Sequence, residues 1–246
     1  MNQETMSDFQ FSTIWPEDFC GQVKLFPLPN LVLFPHVVQP LHIFEPRYCQ
    51  MLEDALASDR LIAMALLQPD WESKYEQRPE IASTVCIGKI ISHTPAENNR
   101  HNILLVGVKR AKIIREVSGT KPYRIAEVEL LNDAYPSDES IQRPELLQKL
   151  QDLFLKFVPD GLAAQESFRQ LVGKQLPLGI LTDTITYAMN LPVAIKLQLL
   201  AEENVDIRCR ILTRCLEQKL GIEGIVGASD CEKATETNFP PPFSEN

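Results

Sequence analysis

The chain has 246 residues, 44% hydrophobic and 23% charged, which is enough to form the core of one large or two small globular domains. Its formal net charge of −9 gives no general attraction for nucleic acid or for an anionic membrane surface, so neither is expected as a partner. The six cysteines are scattered, with no Cys-x-x-Cys pair and no zinc-site spacing, which favours a reduced, cytoplasmic protein.

The N-terminal segment, residues 1–22, is polar and acidic with isolated aromatic side chains. It predicts either an extended arm whose aromatic side chains dock on the domain or a loosely ordered terminus. It contains no basic segment followed by an apolar run, and no apolar run in the chain reaches membrane-spanning length. The sequence therefore predicts a protein that stays in the cytosol.

Residues 25–48 form an apolar stretch that five prolines divide into short pieces. Each proline fixes its own φ and biases the residue before it toward extended conformations. Helix is therefore excluded before Pro46. The stretch carries more apolar surface than a solvated loop would, so we expect it to pack against the rest of the domain.

Pro46 suits the first position of a helix, and the residues after it are apolar at helical spacing. The predicted apolar face consists of Tyr48, Met51, Leu52, Ala55 and Leu56. Such a face predicts a helix that lies on a sheet. Residues 61–67 (LIAMALL) are too short and too continuously apolar for an exposed helix, so they predict a buried strand.

The next part of the chain, after a polar loop at residues 68–83, has the turn-bounded pattern of strands. A hairpin turn is predicted at residues 94–99, and Gly107 predicts a bulge or bend. Several short strands with one early helix favour an α+β fold with a small, closed or nearly closed, mostly antiparallel sheet. The predicted strands are residues 85–92, 102–108, 111–117 and 123–130.

The second half has a helical pattern. Residues 23–133 are predicted to form the β-domain, residues 134–143 a polar linker, and residues 144–221 a helical subdomain arranged as a bundle. Residues 222–246 are acidic and rich in proline, and they predict a disordered tail. The helical segments are marked by apolar residues at 146–157, 168–172, 181–189, 193–201 and 207–220.

The proline-rich stretch also carries a family resemblance. The order Pro27-Leu28, Val32, Phe34-Pro35 and Pro40-Leu41, followed by residues 44–48 (FEPRY), resembles the start of the Lon protease N-terminal, substrate-binding domain family. The FEPRY form is most similar to stand-alone bacterial members, which lack the ATPase and peptidase domains. The resemblance covers about residues 23–220 and implies a barrel-like, PUA-like β-domain followed by helices. Residues 107–113 (GVKRAKI) resemble a further family element, with Val106 in place of its acidic residue.

The chain lacks the motifs of the catalytic parts of a Lon protease. Gly88-Lys89 and Gly173-Lys174 lack the earlier glycine and the following Ser or Thr of a phosphate-binding loop. There is no Gly-x-Ser-x-Gly nucleophile motif either. We therefore predict a non-enzymatic protein without a cofactor.

Two further residue groups have a functional and a structural interpretation. The histidines at 36, 42, 93 and 101 fit no common metal-site spacing, so no metal site is predicted. The basic residues between 109 and 124 would suit an RNA-binding face, but they also fit the solvent face of successive strands, which is the favoured interpretation. Nucleic acid is accordingly not expected as a partner. The basic run comprises Lys109, Arg110, Lys112, Arg115, Lys121 and Arg124.

The resemblance and the missing catalytic motifs together predict a non-catalytic polypeptide-binding module that acts as an adaptor or holdase-like factor. Its expected partners are unfolded or extended polypeptides. The alternative is a docking or scaffold protein that contacts one folded partner, such as a protease. The predicted polypeptide-binding residues are apolar side chains around the proline loop, which would equally suit a core: Leu31, Val32, Phe34, Val37, Ile43 and Phe44.

Overall fold

A computed structural model gives the fold of the chain and describes residues 15–16, 18–137, 142–158 and 176–221. The strands are β1 Gln22–Leu28, β2 Val38–Ile43, β3 Leu61–Leu66, β4 Thr84–Ala96, β5 Arg100–Val117 and β6 Arg124–Leu131. The helices are α1 Pro46–Leu56, α2 Arg143–Leu155, α3 Leu178–Ala188, α4 Val193–Ala201 and α5 Val205–Lys219, with a 3₁₀-helix at Trp71–Gln77. The N-terminal arm up to residue 14, the predicted helical segment at 168–172 and the tail from residue 222 lie outside the described residues.

The six strands form one sheet in the order β2-β5-β4-β3-β1-β6. Only the β1–β3 pair is parallel among these pairings. β6 pairs with β1 and also with the C-terminal half of β5. A mostly antiparallel sheet with one early helix and later helices is therefore confirmed, whereas the barrel-like form, the helical bundle and the division into two domains remain predictions.

β5 corrects the sequence-based prediction, because residues 102–108 and 111–117 belong to one strand. Its N-terminal half pairs with β2 and its C-terminal half with β6, while β4 pairs along much of its length. The bulge predicted at Gly107 is confirmed by a register shift between Ile87 and Gly88 of β4, which face Lys109 and Gly107. A strand that changes partners midway looks like two strands in sequence.

Gly107 also holds the proline loop against the sheet. Its N–H donates to the Val37 carbonyl at 2.8 Å, and its own carbonyl accepts from the His36 N–H at 2.8 Å. A Cβ at this position would lie 2.0 Å from the Phe34 carbonyl oxygen. Only glycine allows so close an approach, and it brings Phe34 into the core, where the side chain is fully buried.

All six residues of β3 are buried, which explains why the run LIAMALL is continuously apolar. Leu61, Ala63 and Ala65 face a smaller core cluster with side chains from β1, β4 and β6. Their neighbours Ile62, Met64 and Leu66 face the larger cluster, where the buried side of α1 packs. A strand buried on both faces loses the alternating pattern of a half-exposed one.

The larger core cluster is shared by the sheet and the later helices, since it contains Phe34 and Leu105 as well as Leu181 and Leu212. The predicted apolar face of the last helix was wrong at Ile207, which is 41% exposed. The buried positions of α5 are Val205, Asp206, Arg208, Cys209, Leu212, Thr213 and Leu216.

Buried charges connect the sheet to these helices. Arg110 of β5 donates to the Leu200 carbonyl at 3.1 Å and to Asp133 at 3.0 Å, and its other amino group pairs with Asp183 of α3. Arg208 of α5 donates to both carboxylate oxygens of Asp133, at 3.0 and 2.9 Å. Three of these four charged side chains are buried, whereas that of Asp133 is 29% exposed. We call Arg110, Asp133, Asp183 and Arg208 the buried charge cluster. It joins β5 and the segment after β6 to two helices.

Candidate functional site

The outward face of β2 is apolar and open to solvent. Alternate residues of a strand point to the same side, so Val38, Pro40 and His42 share a face, and Phe44 continues it just beyond the strand. Val38 is 46% and Phe44 51% exposed. The rings of His42 and Phe44 lie 5.9 Å apart between centroids. We call Val38, Pro40, His42 and Phe44 the β2 strip.

Neighbouring strands widen the β2 strip into a shallow groove. Pro40 is paired with Leu104 of β5, and His42 with Asn102. Beyond them, Ser92 and Thr94 of β4 face the same two β5 residues. The groove has a volume of about 440 Å³ and combines an apolar centre with histidine, amide and hydroxyl groups at its sides.

β2 stands at the end of the sheet order and pairs only with β5 among the described strands. The backbone groups on its other side are therefore not used by another described strand. Such an edge can accept a further extended segment, and Pro40 limits how many N–H groups it offers. One helix reaches the same strand, since the Tyr187 hydroxyl of α3 donates to the Gln39 side-chain carbonyl.

A histidine pair lies on the hairpin beside the groove. His93 Nε2 and His101 Nδ1 are 3.0 Å apart, and His42 Nδ1 lies 2.7 Å from Asn102 Oδ1. Burial, followed by the charges of His101 and Arg60, lowers the pKa of His93. The described residues contain no group of three or more side chains that would hold a metal ion.

The predicted binding residues fall into two classes. Val32, Phe34, Val37 and Ile43 are at most 7% exposed and belong to the larger core cluster, with Leu31 half-buried against it. Phe44 is the member that lies on the open surface. A binding role for the six residues stays a prediction. The four buried side chains support the surface from the core and are not placed for direct contact with a ligand.

Sequence reasoning did not identify the exposed residues Val38 and Leu104 at this edge, nor the exposed Ile91 of β4, which precedes the groove residue Ser92. For Val38, the available signal was that side chains 38–44 would alternate between two faces if these residues formed a strand. The prolines on both sides concealed this strand, because they favour an irregular loop. Leu104 and Ile91 carry no such signal, because residues 103–106 and 90–91 are continuously apolar.

Four of the six residues of the basic run pair with carboxylates, two of which lie on β5 and β6 themselves. Arg110 belongs to the buried charge cluster, Arg115 pairs with Glu127 and Arg124 with Glu116. Lys121 lies 2.6 Å from Asp54 of α1. This pairing supports the structural interpretation of the basic run over an RNA-binding face.

The fold and the edge define an α+β domain with an open apolar strand. The chain matches the family model of the ATP-dependent protease La (LON) substrate-binding domain over residues 22–218, and it belongs to that family. None of the described helices combines the length and apolar character needed to span a lipid bilayer.

Relatives and solved structures agree with this family. The chain is 22% identical to the Lon protease of Aquifex aeolicus and 26% identical to that of Heliobacterium modesticaldum, over 86% and 82% of its own length. It spans about a quarter of these relatives, 27% and 24%. The fold is similar to the N-terminal domain of a Mycobacterium avium complex Lon protease, with a TM-score of 0.62 at 23% identity over 80% of this chain and 98% of that one. A Lon N-terminal domain protein from Xanthomonas campestris gives 0.56 at 20% identity, over 81% of this chain and 97% of that one.

Proposed function

We propose that this chain binds extended or unfolded polypeptides at the β2 strip and the adjoining groove, as a non-catalytic adaptor or holdase-like factor. The observation that carries the proposal is the edge of β2, which pairs with no second described strand, together with its apolar outward face. The family model, which describes a substrate-binding domain, supports a substrate-binding role. A polypeptide is a ligand that satisfies both features of the edge, because it supplies backbone hydrogen bonds and apolar side chains together.

The size of the site argues for transient binding. Val38, Phe44 and Leu104 are 38–51% exposed, so a ligand that covers the exposed part of each side chain gains about 1 kcal/mol per side chain. A few backbone hydrogen bonds add roughly 0.5–1.5 kcal/mol each, and ordering the polypeptide opposes both gains. Weak, sequence-tolerant capture follows. A permanent complex with one folded partner would need an interface of more than about 1,000 Å², which this groove alone does not provide.

The remaining parts of the proposal are the absence of catalysis and a cytoplasmic location. The matched family region corresponds to the substrate-binding domain, and no phosphate-binding loop occurs in the sequence. Free thiols at Cys20, Cys49, Cys86, Cys209 and Cys215 support a reducing compartment. An unfolded client or a cooperating protease is the partner class that this function implies.

Fluorescence anisotropy with a labelled, carboxymethylated unfolded protein tests the proposal. Replacing Phe44→Ser removes about 1 kcal/mol of contact and should weaken binding about fivefold. Ile114→Ser is the matched control, because Ile114 is 64% exposed on the far half of β5. Its affinity should stay within about twofold of the unmodified chain.

Two results would contradict the proposal. One is wild-type binding no stronger than that of a native globular control protein. The other is equal affinity in the Phe44→Ser and Ile114→Ser variants. Purification of one stoichiometric folded partner, with no binding of the unfolded probe, would establish the docking alternative in its place.

A further inference from the structure

A second concave site lies where the start of α1 meets the loops before β4 and β6. It is a small cavity of about 40 Å³, walled by Pro27, Leu67, Pro79 and Pro122. Three arginines and two tyrosines complete the lining: Arg47, Arg78, Arg124, Tyr48 and Tyr123. We call it the arginine pocket. It shares no residue with the β2 strip, although the FEPRY segment supplies Phe44 to the strip and Arg47 and Tyr48 to the pocket.

The pocket is lined by positive charge without a lining carboxylate. Arg47 pairs at 2.8 Å with Glu45, and Arg124 pairs with Glu116 and donates to the Pro79 carbonyl at 2.7 Å. Both acids lie outside the lining. Arg78 has no carboxylate partner among the residues that the structure describes, and its backbone is left-handed, with φ of 62°. Arg78 is exposed to solvent, and within the described residues its guanidinium lines the pocket without a matching carboxylate.

The two tyrosines differ in what their hydroxyls do. The Tyr123 hydroxyl donates to Asp54, so it is already used. Tyr48 is 6% exposed, and no acceptor for its hydroxyl is found within the described part of the chain. Burial raises the pKa of Tyr48 to about 12, although the charge of Arg47 opposes the shift. The hydroxyl is therefore protonated at neutral pH and can donate a hydrogen bond into the pocket.

We propose that the arginine pocket binds the carboxylate at the C-terminus of an extended polypeptide. A guanidinium and a phenol hydroxyl are complementary donors for a planar carboxylate. The proline and leucine walls suit the apolar part of a last residue, and the small volume excludes a bulky group. This inference rests on the proposed function, because it names which part of the bound polypeptide the second site takes.

The test uses the full chain and two fluorescent peptides of one sequence, one with a free C-terminal carboxylate and one with a C-terminal amide. The free acid should bind about tenfold more tightly, because the amide removes charge-assisted hydrogen bonds. Arg78→Asn, which suits the left-handed backbone, and Tyr48→Phe should each reduce that difference. Lys112→Gln is the matched control, since it removes one exposed positive charge from β5 outside the pocket. It should leave the difference unchanged.

Each other result overturns the inference in a recognisable way. Equal binding of acid and amide, with unfolded-protein binding intact, removes the carboxylate site and leaves the proposed function standing. Failure of every peptide and of the unfolded protein to bind removes both. Displacement of the free-acid peptide by inorganic phosphate, at concentrations where acetate has no effect, would assign the pocket to phosphate. Thermal unfolding checks that each variant is folded, and Tyr48→Phe provides the test if Arg78→Asn does not fold.

Discussion

Loss of Arg208 from the buried charge cluster should destabilise the whole described fold. Its side chain is fully buried, donates to Asp133 at 3.0 and 2.9 Å, and has Nε 3.4 Å from Asp183. Replacing Arg208→Met keeps an unbranched apolar stem and leaves two carboxylates facing Arg110 alone. Breaking a buried charge pair by removing one partner costs about 3–5 kcal/mol.

Such a loss is a large part of the stability of a domain, which is about 5–15 kcal/mol. For a chain of this length each 1 kcal/mol lowers the midpoint of thermal unfolding by roughly 2–4 °C, so we expect a decrease of roughly 6–20 °C. Urea unfolding followed by circular dichroism measures the free energy directly. Arg210→Met is the matched control, because Arg210 is exposed on the same helix, and it should stay within about 0.5 kcal/mol of the unmodified chain.

A loss of less than about 1 kcal/mol in the free energy of unfolding for Arg208→Met would contradict a role of Arg208 in compensating the charges of Asp133 and Asp183. Even an exposed ion pair can contribute that much. Two separate transitions, with the helices unfolding before an unchanged sheet, would refute the coupling through the cluster. A single unfolding transition that shifts as a whole is expected.

Three further predictions concern the linker, acid stability and the proline loop. Limited proteolysis should cut within residues 134–143 without separating the fragments on a sizing column, because one core cluster contains side chains from both halves; two independently folded fragments would contradict it. Although burial opposes the shift, the Arg208 hydrogen bonds and the Arg110 charge hold the pKa of Asp133 below its usual range. The stabilisation by the Asp133 carboxylate is thus complete above the unfolded pKa of about 3.9 and is lost as pH falls through the lower folded pKa. Asp133→Asn should therefore make the free energy of unfolding less dependent on pH in the acid range. Gly107→Ala should lower the free energy of unfolding in urea by at least about 1–3 kcal/mol, because the new Cβ would overlap the Phe34 carbonyl. Gly119→Ala is the control and should be nearly neutral, because the space around Gly119 is open. Equal effects of the two substitutions would show that the proline loop does not press on β5.

Local sequence patterns predicted the helices and strands whose formation depends on neighbouring residues alone. α1 begins at Pro46, and its buried positions include Tyr48, Met51, Leu52 and Ala55 as their spacing indicated. β3 was identified from an apolar run of strand length, because both of its faces are buried. In these cases the residues carry the signal within a single turn or strand.

Elements defined by distant partners were missed. β2 contains Pro40 and is an edge strand, so only its pairing with β5 reveals it. β5 was divided at residues 109–110, where one continuous strand passes from its β2 partner to its β6 partner. The close approach of the Phe34 loop is the reason for Gly107. The arginine pocket joins Arg47, Arg78 and Arg124, whose spacing along the chain matches no motif.

Hydrogen exchange of the backbone amides, with and without a saturating unfolded polypeptide, tests the central claim most directly. If the polypeptide binds at the β2 strip, exchange should slow in residues 38–44 and on the adjoining part of β5 around Asn102 and Leu104, with little change around Ile114. Protection confined to the helices, or no change along β2 while the polypeptide is bound, would contradict binding at the β2 strip.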